Sequence, residues 1–203
     1  MAADAEREDG LMLLISGPSG SGKSSICKRL REDPRVVFSV SATTRPIRRG
    51  ERDGVDYHFM TPEQFRRGIR AGDFIEWAEV HGNLYGTLRE PMEQALADGQ
   101  VYLVEIDVQG ALQLRALGQE GLFVFVAPPD FETLRARLVG RGTDAPDVIE
   151  RRLQKAHDEY EERGKYDHIV VNDDLDRAVA EVRALAGLET NGVAAQGTGG
   201  KEA

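Results

Sequence analysis

The sequence predicts an α/β protein with a parallel sheet that helices cover on both faces. Four short runs are apolar without polar alternation, which is typical of strands buried on both faces; they span residues 11–16, 101–107, 122–127 and 168–172. Amphipathic stretches of helical length lie between and after them, at about 23–32, 90–98, 109–117, 130–139, 146–163 and 175–187. Because parallel strands need crossover connections of that length, the pattern predicts a three-layer fold.

The first predicted strand leads into a glycine-rich loop and then a helix. The loop fits the pattern G-x-x-x-x-G-K-[ST] in full and is a P-loop: Gly17-Pro18-Ser19-Gly20-Ser21-Gly22-Lys23-Ser24. Its glycines let backbone N–H groups turn inward around phosphates, and the N-terminus of the helix favours negative charge. Lys23 can reach the β- and γ-phosphates, and the Ser24 hydroxyl can ligate Mg²⁺. The motif predicts a P-loop NTPase-type fold that binds a nucleoside triphosphate with Mg²⁺.

The composition of the chain limits which binding partners and which cellular compartment are expected. The chain has 203 residues, enough for one domain with a substantial core, and its net charge of −9 argues against general binding to nucleic acid or anionic membranes. The single cysteine, Cys27, excludes a disulfide within the chain, and we expect it to be a small buried residue. No apolar run reaches membrane-spanning length, and residues 1–9 lack the pattern of a secretory signal. The expected location is the cytoplasm.

Residues 39–91 interrupt the alternation of strands and helices. They contain glycine- and arginine-rich loops, β-like pieces at 56–60 and 74–78, and a capping-box pattern at Thr61 to Gln64. We expect a partly β subdomain inserted at the carboxyl edge of the sheet. The predicted domain, residues 10–188, then has a core of 10–38 and 92–188, an insert of 39–91 and a small lid of about 138–152, with disordered tails at 1–9 and 189–203.

The insert carries a basic segment in an otherwise acidic chain: Arg45, Arg48, Arg49 and Arg52. Arg45 and Arg48 are candidates for binding a phosphate, because the guanidinium fork binds two phosphate oxygens at once. We interpret Arg49 and Arg52 as solvated. Tyr57 and Tyr85 either add phenolic donors to this site or pack in the core, and the residues alone leave both alternatives open.

Several motifs, in order along the chain, resemble those of the guanylate kinases. Residues 39–46 (SVSATTRP), with Arg48, Gly50-Glu51, Gly54, Asp56-Tyr57 and Phe59, are similar to the GMP-binding segment of that family. The resemblance spans about 11–187 and continues through 74–78, 85–87, 106–110, Arg137-Leu138, 141–143, Arg152-Leu153 and 171–175. It implies an enzyme that transfers the γ-phosphate of ATP to GMP, and also to dGMP, with Mg²⁺. The metabolic role that the resemblance implies is in purine nucleotide metabolism, including GMP recycling.

The resemblance also assigns roles to particular residues. Guanine presents two donors, N1–H and the amino group, beside the O6 acceptor, so a carboxylate and a hydroxyl complement it. Resemblance gives those two roles to Glu76 and Thr87, with Asp107 near the amino group. It implies that the phosphate of GMP contacts Ser41, Arg45, Arg48, Tyr57 and Tyr85. On the ATP side it implies Asn172 at the adenine and Arg137, Arg141 and Arg152 at the phosphates or the adenosine face. The implied catalytic set is Lys23, Arg45, Arg137, Arg141 and Arg152. Trp77, among apolar neighbours, is expected in the core.

Two other functions remain as alternatives. The first is a non-catalytic, guanylate-kinase-like module that binds proteins; the intact Lys23 and Ser24 argue against it. The second is a kinase for another nucleoside monophosphate, against which Glu76 and Thr87 argue. The four histidines lack metal-ligand spacing, and no Asn-Lys-x-Asp motif of a GTPase is present. The oligomeric state is left open.

Overall fold

The computed structural model describes residues 9–80, 82–140 and 145–189. Five strands form a parallel sheet in the order β2-β7-β1-β8-β9: β1 (Leu11–Ser16), β2 (Val36–Phe38), β7 (Val101–Glu105), β8 (Leu122–Ala127) and β9 (His168–Val171). The helices are α1 (Lys23–Leu30), α2 (Pro62–Ala71), α3 (Arg89–Ala97), α4 (Val108–Ala116), α5 (Phe131–Gly140), α6 (Pro146–Glu161) and α7 (Leu175–Leu185), with a short 3-10 helix at Glu162–Lys165. The predicted α/β fold with a parallel sheet is confirmed.

The central strand β1 is buried along its whole length, as its unbroken apolar sequence predicts. Leu13 and Ile15 pack with α1 and α7 on one face, while Met12 and Leu14 pack with α3 and α4 on the other. Cys27 is buried in the first of these cores, also as expected. Burial on both faces fixes β1 at the middle of the sheet, so the loop that follows it leaves from the middle of the carboxyl edge.

Strand β9 differs from the other predicted strands. Only Val170 is buried, whereas His168, Ile169 and Val171 are exposed. The sequence of β9 is as apolar as that of a central strand, but β9 lies at the edge of the sheet and has β8 as its only neighbour. An apolar run therefore predicted the strand correctly but not its position at the edge.

A second, mixed sheet lies within residues 39–91 and has the order β4-β3-β6-β5: β3 (Ala42–Thr43), β4 (His58–Phe59), β5 (Phe74–Val80) and β6 (Asn83–Leu88). Helix α2 packs against this sheet, with Phe65 stacked on Phe74 at 4.3 Å between ring centroids. The predicted capping box is present: the Thr61 side chain accepts a hydrogen bond from the Gln64 N–H, and the Gln64 side chain accepts one from the Thr61 N–H.

The expectation that Trp77 lies in the core is wrong. Trp77 is 42 % exposed, because β5 is an edge strand of the mixed sheet and alternate side chains point away from the interior. The predicted tails at 1–9 and 189–203 fall almost wholly outside the described residues, and so does the middle of the predicted lid, 141–144. Among the helices that are described, none is long and apolar enough to cross a membrane.

Candidate active site

The P-loop connects β1 to α1 through backbone conformations that favour glycine. Gly17, Gly20 and Gly22 have φ angles of 138°, 91° and 98°, a region that residues with a Cβ rarely adopt. Space is also limiting, since a Cβ on Gly17 would lie 2.3 Å from the Val126 carbonyl oxygen, and one on Gly22 would lie 2.0 Å from Asn172 Nδ2. The loop is therefore shaped by its backbone, and its N–H groups are available to line a phosphate site.

The Lys23 ammonium lies over this loop. Its Nζ donates hydrogen bonds to the carbonyl oxygens of Gly17, at 2.6 Å, and Pro18, at 2.9 Å. Burial lowers the pKa of Lys23, and the nearby carboxylate of Glu105 acts in the opposite direction. A cation held by weak carbonyl acceptors in a poorly solvated place is suited to exchange them for phosphate oxygens.

Ser24 pairs with a residue that the motif analysis did not identify. Its hydroxyl donates a hydrogen bond of 2.6 Å to Oε1 of Glu105, the last residue of β7. Since β7 runs parallel beside β1, with Glu105 opposite Ile15, this carboxylate reaches the carboxyl edge next to the P-loop. The available signal was the strand itself: an acidic residue that ends an apolar strand in a P-loop protein marks a position suited to Mg²⁺.

The Ser24 and Glu105 oxygens fit a Mg²⁺ site. A hydroxyl and a carboxylate are hard oxygen ligands of the kind that Mg²⁺ prefers, and this ion commonly takes one or two protein ligands plus phosphates and waters. Within the described parts of the chain, no group of three or more His, Cys, Asp or Glu side chains is arranged to hold a metal by itself. The site thus suits a metal that arrives with a nucleotide.

Asn172 and Arg137 meet behind the P-loop. The buried Asn172 side chain donates from Nδ2 to the Ser21 carbonyl oxygen at 2.7 Å. Arg137, on α5, donates from Nη2 to the Asn172 carbonyl oxygen at 2.9 Å and from Nη1 to that of Ser21 at 3.4 Å. An open cleft of about 390 Å³ lies here, lined by Gly20, Gly22, Ser25, Arg137, Asn172, Asp173 and Leu175. Two of the four residues expected on the ATP side outside the loop, Asn172 and Arg137, therefore lie at the P-loop.

Arg152 lies on helix α6, which packs against α5, the helix that carries Arg137. Glu159 lies seven residues further along the helix, hence on the same face as Arg152. Burial raises the pKa of Glu159, and the positive charges of Lys155 and Lys23 oppose that rise. Arg141, the remaining lid arginine, lies outside the described residues.

Glu76 and Thr87 form a buried polar pair on the mixed sheet. They are opposite each other on β5 and β6, and only 8 % of Glu76 and 2 % of Thr87 is exposed. The Thr87 hydroxyl donates to Glu76 Oε1 at 2.6 Å. Burial raises the pKa of Glu76, the hydrogen bonds from Thr87 lower it, and the charge of Asp107 raises it further. The structure therefore pairs two of the residues expected to contact guanine, and the third, Asp107, begins α4, which packs against β5.

The expected phosphate ligands lie on the same sheet and its loops. The Arg45 guanidinium stands 5.3 Å from the ring centroid of Tyr57, and the rings of Tyr57 and Tyr85 are 6.1 Å apart. Both tyrosines are half-buried, so they are not core residues. Arg48 is exposed, as are Arg49 and Arg52, and Ser41 is half-buried just before β3. Arg45, Tyr57 and Tyr85 form one cluster of donors.

The two groups of residues meet in one short segment of chain. Glu105 faces Ser24 of the P-loop, while Asp107 begins α4, which packs against β5, the strand that carries Glu76. Only Ile106 separates them, so they lie within about 7 Å of each other along the backbone. Asp107 is also fixed as the N-cap of α4, where its Oδ1 accepts a hydrogen bond of 2.9 Å from the Gly110 N–H. A triphosphate site and a second polar site are thus adjacent.

A parallel sheet with a P-loop in its middle, joined to a second sheet that carries its own buried polar pair, defines a P-loop protein with a second polar site. Comparison with known proteins identifies the family to which this protein belongs. The sequence model of the family described as "Guanylate kinase" matches residues 10–187. The chain belongs to the guanylate kinase family.

Individual relatives agree. The chain is 51 % identical over 185 residues to guanylate kinase from Chelativorans sp. (strain BNC1), covering 90 % of this chain and 85 % of the relative. It is 50 % identical over 179 residues to guanylate kinase from Corynebacterium jeikeium (strain K411), covering 87 % and 95 %. The crystal structure of guanylate kinase from Anaplasma phagocytophilum superimposes with a TM-score of 0.69 at 33 % identity, covering 88 % of this chain and 85 % of that one.

Proposed function

We propose that this protein phosphorylates GMP with ATP through two adjacent half-sites: a donor half-site at the P-loop and an acceptor half-site on the mixed sheet. The protein is an ATP:GMP phosphotransferase, which converts ATP and GMP to ADP and GDP. The observation that carries the division into two half-sites is the segment from Glu105 to Asp107, which contributes one carboxylate to each.

In the acceptor half-site, Glu76 and Thr87 select guanine. The Glu76 carboxylate accepts hydrogen bonds from N1–H and the exocyclic amino group, the Thr87 hydroxyl donates to O6, and Asp107 lies on the amino side. Adenine lacks the N1 proton and carries a donor at position six, so it would leave these buried groups unpaired. Each unpaired buried group costs about 1–3 kcal/mol, enough for strong discrimination when several are involved. The same contacts accept dGMP, because they do not involve the sugar.

The phosphate of GMP binds the donor cluster of the insert: Ser41, Arg45, Arg48, Tyr57 and Tyr85. Two guanidinium groups and two phenols complement a dianion by charge and by number of donors. Arg45 is the best placed of them, since its side chain is largely enclosed and stacks on Tyr57. Binding there holds the attacking phosphate oxygen of GMP towards the P-loop.

In the donor half-site, the P-loop N–H groups and Lys23 hold the ATP phosphates, while Ser24 and Glu105 hold Mg²⁺. When bound, Mg²⁺ offsets negative charge on the phosphates. Lys23 exchanges the carbonyls of Gly17 and Pro18 for phosphate oxygens. Arg137 and Arg152, with Arg141, stabilise the charge of the transferring group, and Asn172 lines the adenine side. No protein nucleophile is needed, because transfer depends on positioning and electrostatics.

The lid of about 138–152 closes over bound ATP and excludes water, so that GMP rather than water receives the phosphoryl group.

The cytoplasm is the location we infer, since a single buried thiol suits a reducing compartment. The protein-binding-module alternative is disfavoured because Lys23 and Ser24 are both present and in place.

A coupled assay of ADP release tests the proposal. With ATP and Mg²⁺, we expect fast turnover with GMP and dGMP, and rates lower by at least about 100-fold with AMP, CMP or dTMP. Equal rates with AMP and GMP would show that the acceptor assignment is wrong. ADP release without any acceptor at the rate seen with GMP would show that the protein is a hydrolase.

A further inference from the structure

Glu51 is a carboxylate of the basic loop that the reaction described above does not use. Both of its oxygens contact Arg45: Oε1 lies 2.8 Å from Nη2, and Oε2 lies 3.1 Å from Nη1. The pair is shielded, with 10 % of the Arg45 side chain and 21 % of the Glu51 side chain exposed. A shielded, two-point contact between a carboxylate and a guanidinium fixes orientation, unlike the exposed pairs common on protein surfaces.

The contact determines which edge of Arg45 is left for a ligand. Glu51 occupies the end of the guanidinium formed by Nη1 and Nη2, and Nη1 also donates to the Pro46 carbonyl oxygen at 2.8 Å. Glu51 takes one of the two Nη2 hydrogens, and the other lies with Nε–H on the adjacent side of the guanidinium, an edge that can bind two phosphate oxygens in parallel. A hydrogen bond with Glu51, and to a smaller extent one with Tyr85, raises the pKa of Arg45, so the Tyr85 phenol lies at the guanidinium as well.

Glu51 also closes the loop that carries Arg48. Its Oε2 accepts a hydrogen bond of 2.7 Å from the Arg48 N–H, and its own N–H donates to the Arg48 carbonyl oxygen at 3.1 Å. One carboxylate therefore holds the side chain of Arg45 and the backbone of Arg48. The Tyr57 ring beneath Arg45 restricts the remaining freedom of the guanidinium.

We propose that Glu51 is a positioning residue for the phosphate of GMP: it holds Arg45 end-on, so that the Nε–Nη2 edge faces the phosphate, and it fixes the loop of Arg48. The inference rests on the proposed function, because it takes the GMP phosphate as the ligand of Arg45. A carboxylate this close reduces the positive potential at the site. The arrangement favours binding only because orienting the two arginines in advance outweighs that loss.

The test compares Glu51→Ala and Glu51→Gln with wild type, using Glu79→Gln as a matched control. Glu79 is an exposed glutamate on β5 of the same sheet. Steady-state kinetics give KM and kcat, and the fluorescence of the single tryptophan, Trp77, next to Glu76, reports binding of GMP and of guanosine. Melting temperatures identify a variant that fails to fold, and Glu51→Gln, which keeps an acceptor oxygen, then supplies the comparison.

For Glu51→Ala we expect KM for GMP to rise roughly tenfold, with kcat and KM for ATP changed less than about threefold. Glu51→Gln falls between Glu51→Ala and wild type, and Glu79→Gln matches wild type. Guanosine, which has no phosphate, binds wild type and Glu51→Ala equally. In an Arg45→Ala background, adding Glu51→Ala raises KM for GMP by a smaller factor than in wild type, because only the loop of Arg48 is then left for Glu51 to hold.

Three results would overturn the inference. An unchanged or lowered KM for GMP in Glu51→Ala would mean that Glu51 only competes with the phosphate for Arg45. Equal weakening of GMP and guanosine binding would mean that Glu51 supports the subdomain as a whole and not the phosphate site, and full additivity with Arg45→Ala would mean that Glu51 does not act through Arg45. In each of these three results the wild-type enzyme still phosphorylates GMP, so the proposed function stands. If the wild-type enzyme were inactive on GMP, the proposed function itself would be overturned.

Discussion

The donor and acceptor half-sites are held in place by different parts of the polypeptide. The P-loop is shaped by the backbone: Gly17, Gly20 and Gly22 have positive φ angles, and Lys23 rests on main-chain carbonyls. The acceptor half-site is shaped by contacts between side chains far apart in sequence or in different strands, such as Thr87 with Glu76. The donor half-site therefore depends on a local motif, whereas the acceptor half-site depends on pairs of residues, each of which needs its partner.

The largest effect is expected at the donor half-site, from Lys23→Ala. Loss of the ammonium removes the group that meets the β- and γ-phosphates, so kcat should fall by a factor of about 1,000 or more. KM for GMP should change less than kcat, because Lys23 is assigned to the phosphates of ATP and not to the groups that hold guanine. The same ADP-release assay measures both constants.

The matched control for this change is Lys28→Ala, an exposed lysine on the same helix α1, which should retain wild-type activity. If Lys23→Ala kept near-normal turnover, the P-loop would not be the donor half-site.

Glu76→Gln should have the next largest effect, on the acceptor half-site alone. The Gln amide presents one acceptor and one donor to the guanine edge, which carries two donors, so one guanine donor is left without an acceptor. We therefore expect kcat/KM for GMP to fall roughly 100-fold while KM for ATP is unchanged. The discrimination between GMP and AMP should shrink with it. Kinetics at saturating ATP, with each nucleotide varied, measure the change.

If Glu76→Gln kept the full selectivity for GMP over AMP, guanine would have to be recognised by residues other than Glu76. Glu79→Gln on the same strand serves as the control and should behave as wild type.

The pH dependence of GMP binding gives a smaller effect with a defined sign. Burial raises the pKa of Glu76, and the carboxylate must be ionised to accept two hydrogen bonds from guanine. As pH falls through this raised pKa, kcat/KM for GMP should decrease, and below the pKa the decrease should approach tenfold for each pH unit. Protonation of Glu76 does not itself destabilise the fold, because a carboxyl group whose pKa is higher in the folded state favours folding as it takes up its proton.

A pH–rate profile of wild type and Glu76→Gln tests this point. The acid-side decline assigned to Glu76 should disappear in the variant, and a decline of equal slope in both proteins would assign it to another group.

The smallest effect on activity is expected from a change far from both half-sites. Asp33 accepts hydrogen bonds from Arg35 and Arg183, which also donate to the Leu188 carbonyl oxygen and so tie α1 to the end of α7. The bonds from Arg35 hold the pKa of Asp33 well below its usual range, against the effect of burial. Asp33→Asn should lower the free energy of unfolding by about 2 kcal/mol and leave kcat within about twofold of wild type.

Denaturant unfolding measures that loss, with the exposed Asp176→Asn, a partner of Arg29, as a control expected to cost less than about 0.5 kcal/mol. The Asp33 contribution is present at neutral pH and decreases as pH falls through its lowered pKa. A large loss of activity in Asp33→Asn would show that this cluster is coupled to the site.

The fold and the donor half-site could largely be predicted from the sequence, because both depend on local patterns. Apolar runs predicted four of the five strands of the parallel sheet, all but the three-residue β2 (Val36–Phe38), and the P-loop signature is contiguous along the chain. Glu105 was missed because its relation to Ser24 exists only once β7 lies beside β1. The pairing of Glu51 with Arg45 is set by the conformation of a loop, which no periodicity encodes. Trp77 was misplaced because apolar character does not tell an edge strand from a central one.

The central claim is direct phosphoryl transfer between two adjacent half-sites. The most direct measurement is to mix the enzyme with ATP labelled in the γ-phosphate, Mg²⁺ and GMP, stop the reaction within a few turnovers, and separate the products. The account predicts that the label appears in GDP, with little in inorganic phosphate. Label found mainly in inorganic phosphate, or a rate unaffected by GMP, would contradict it.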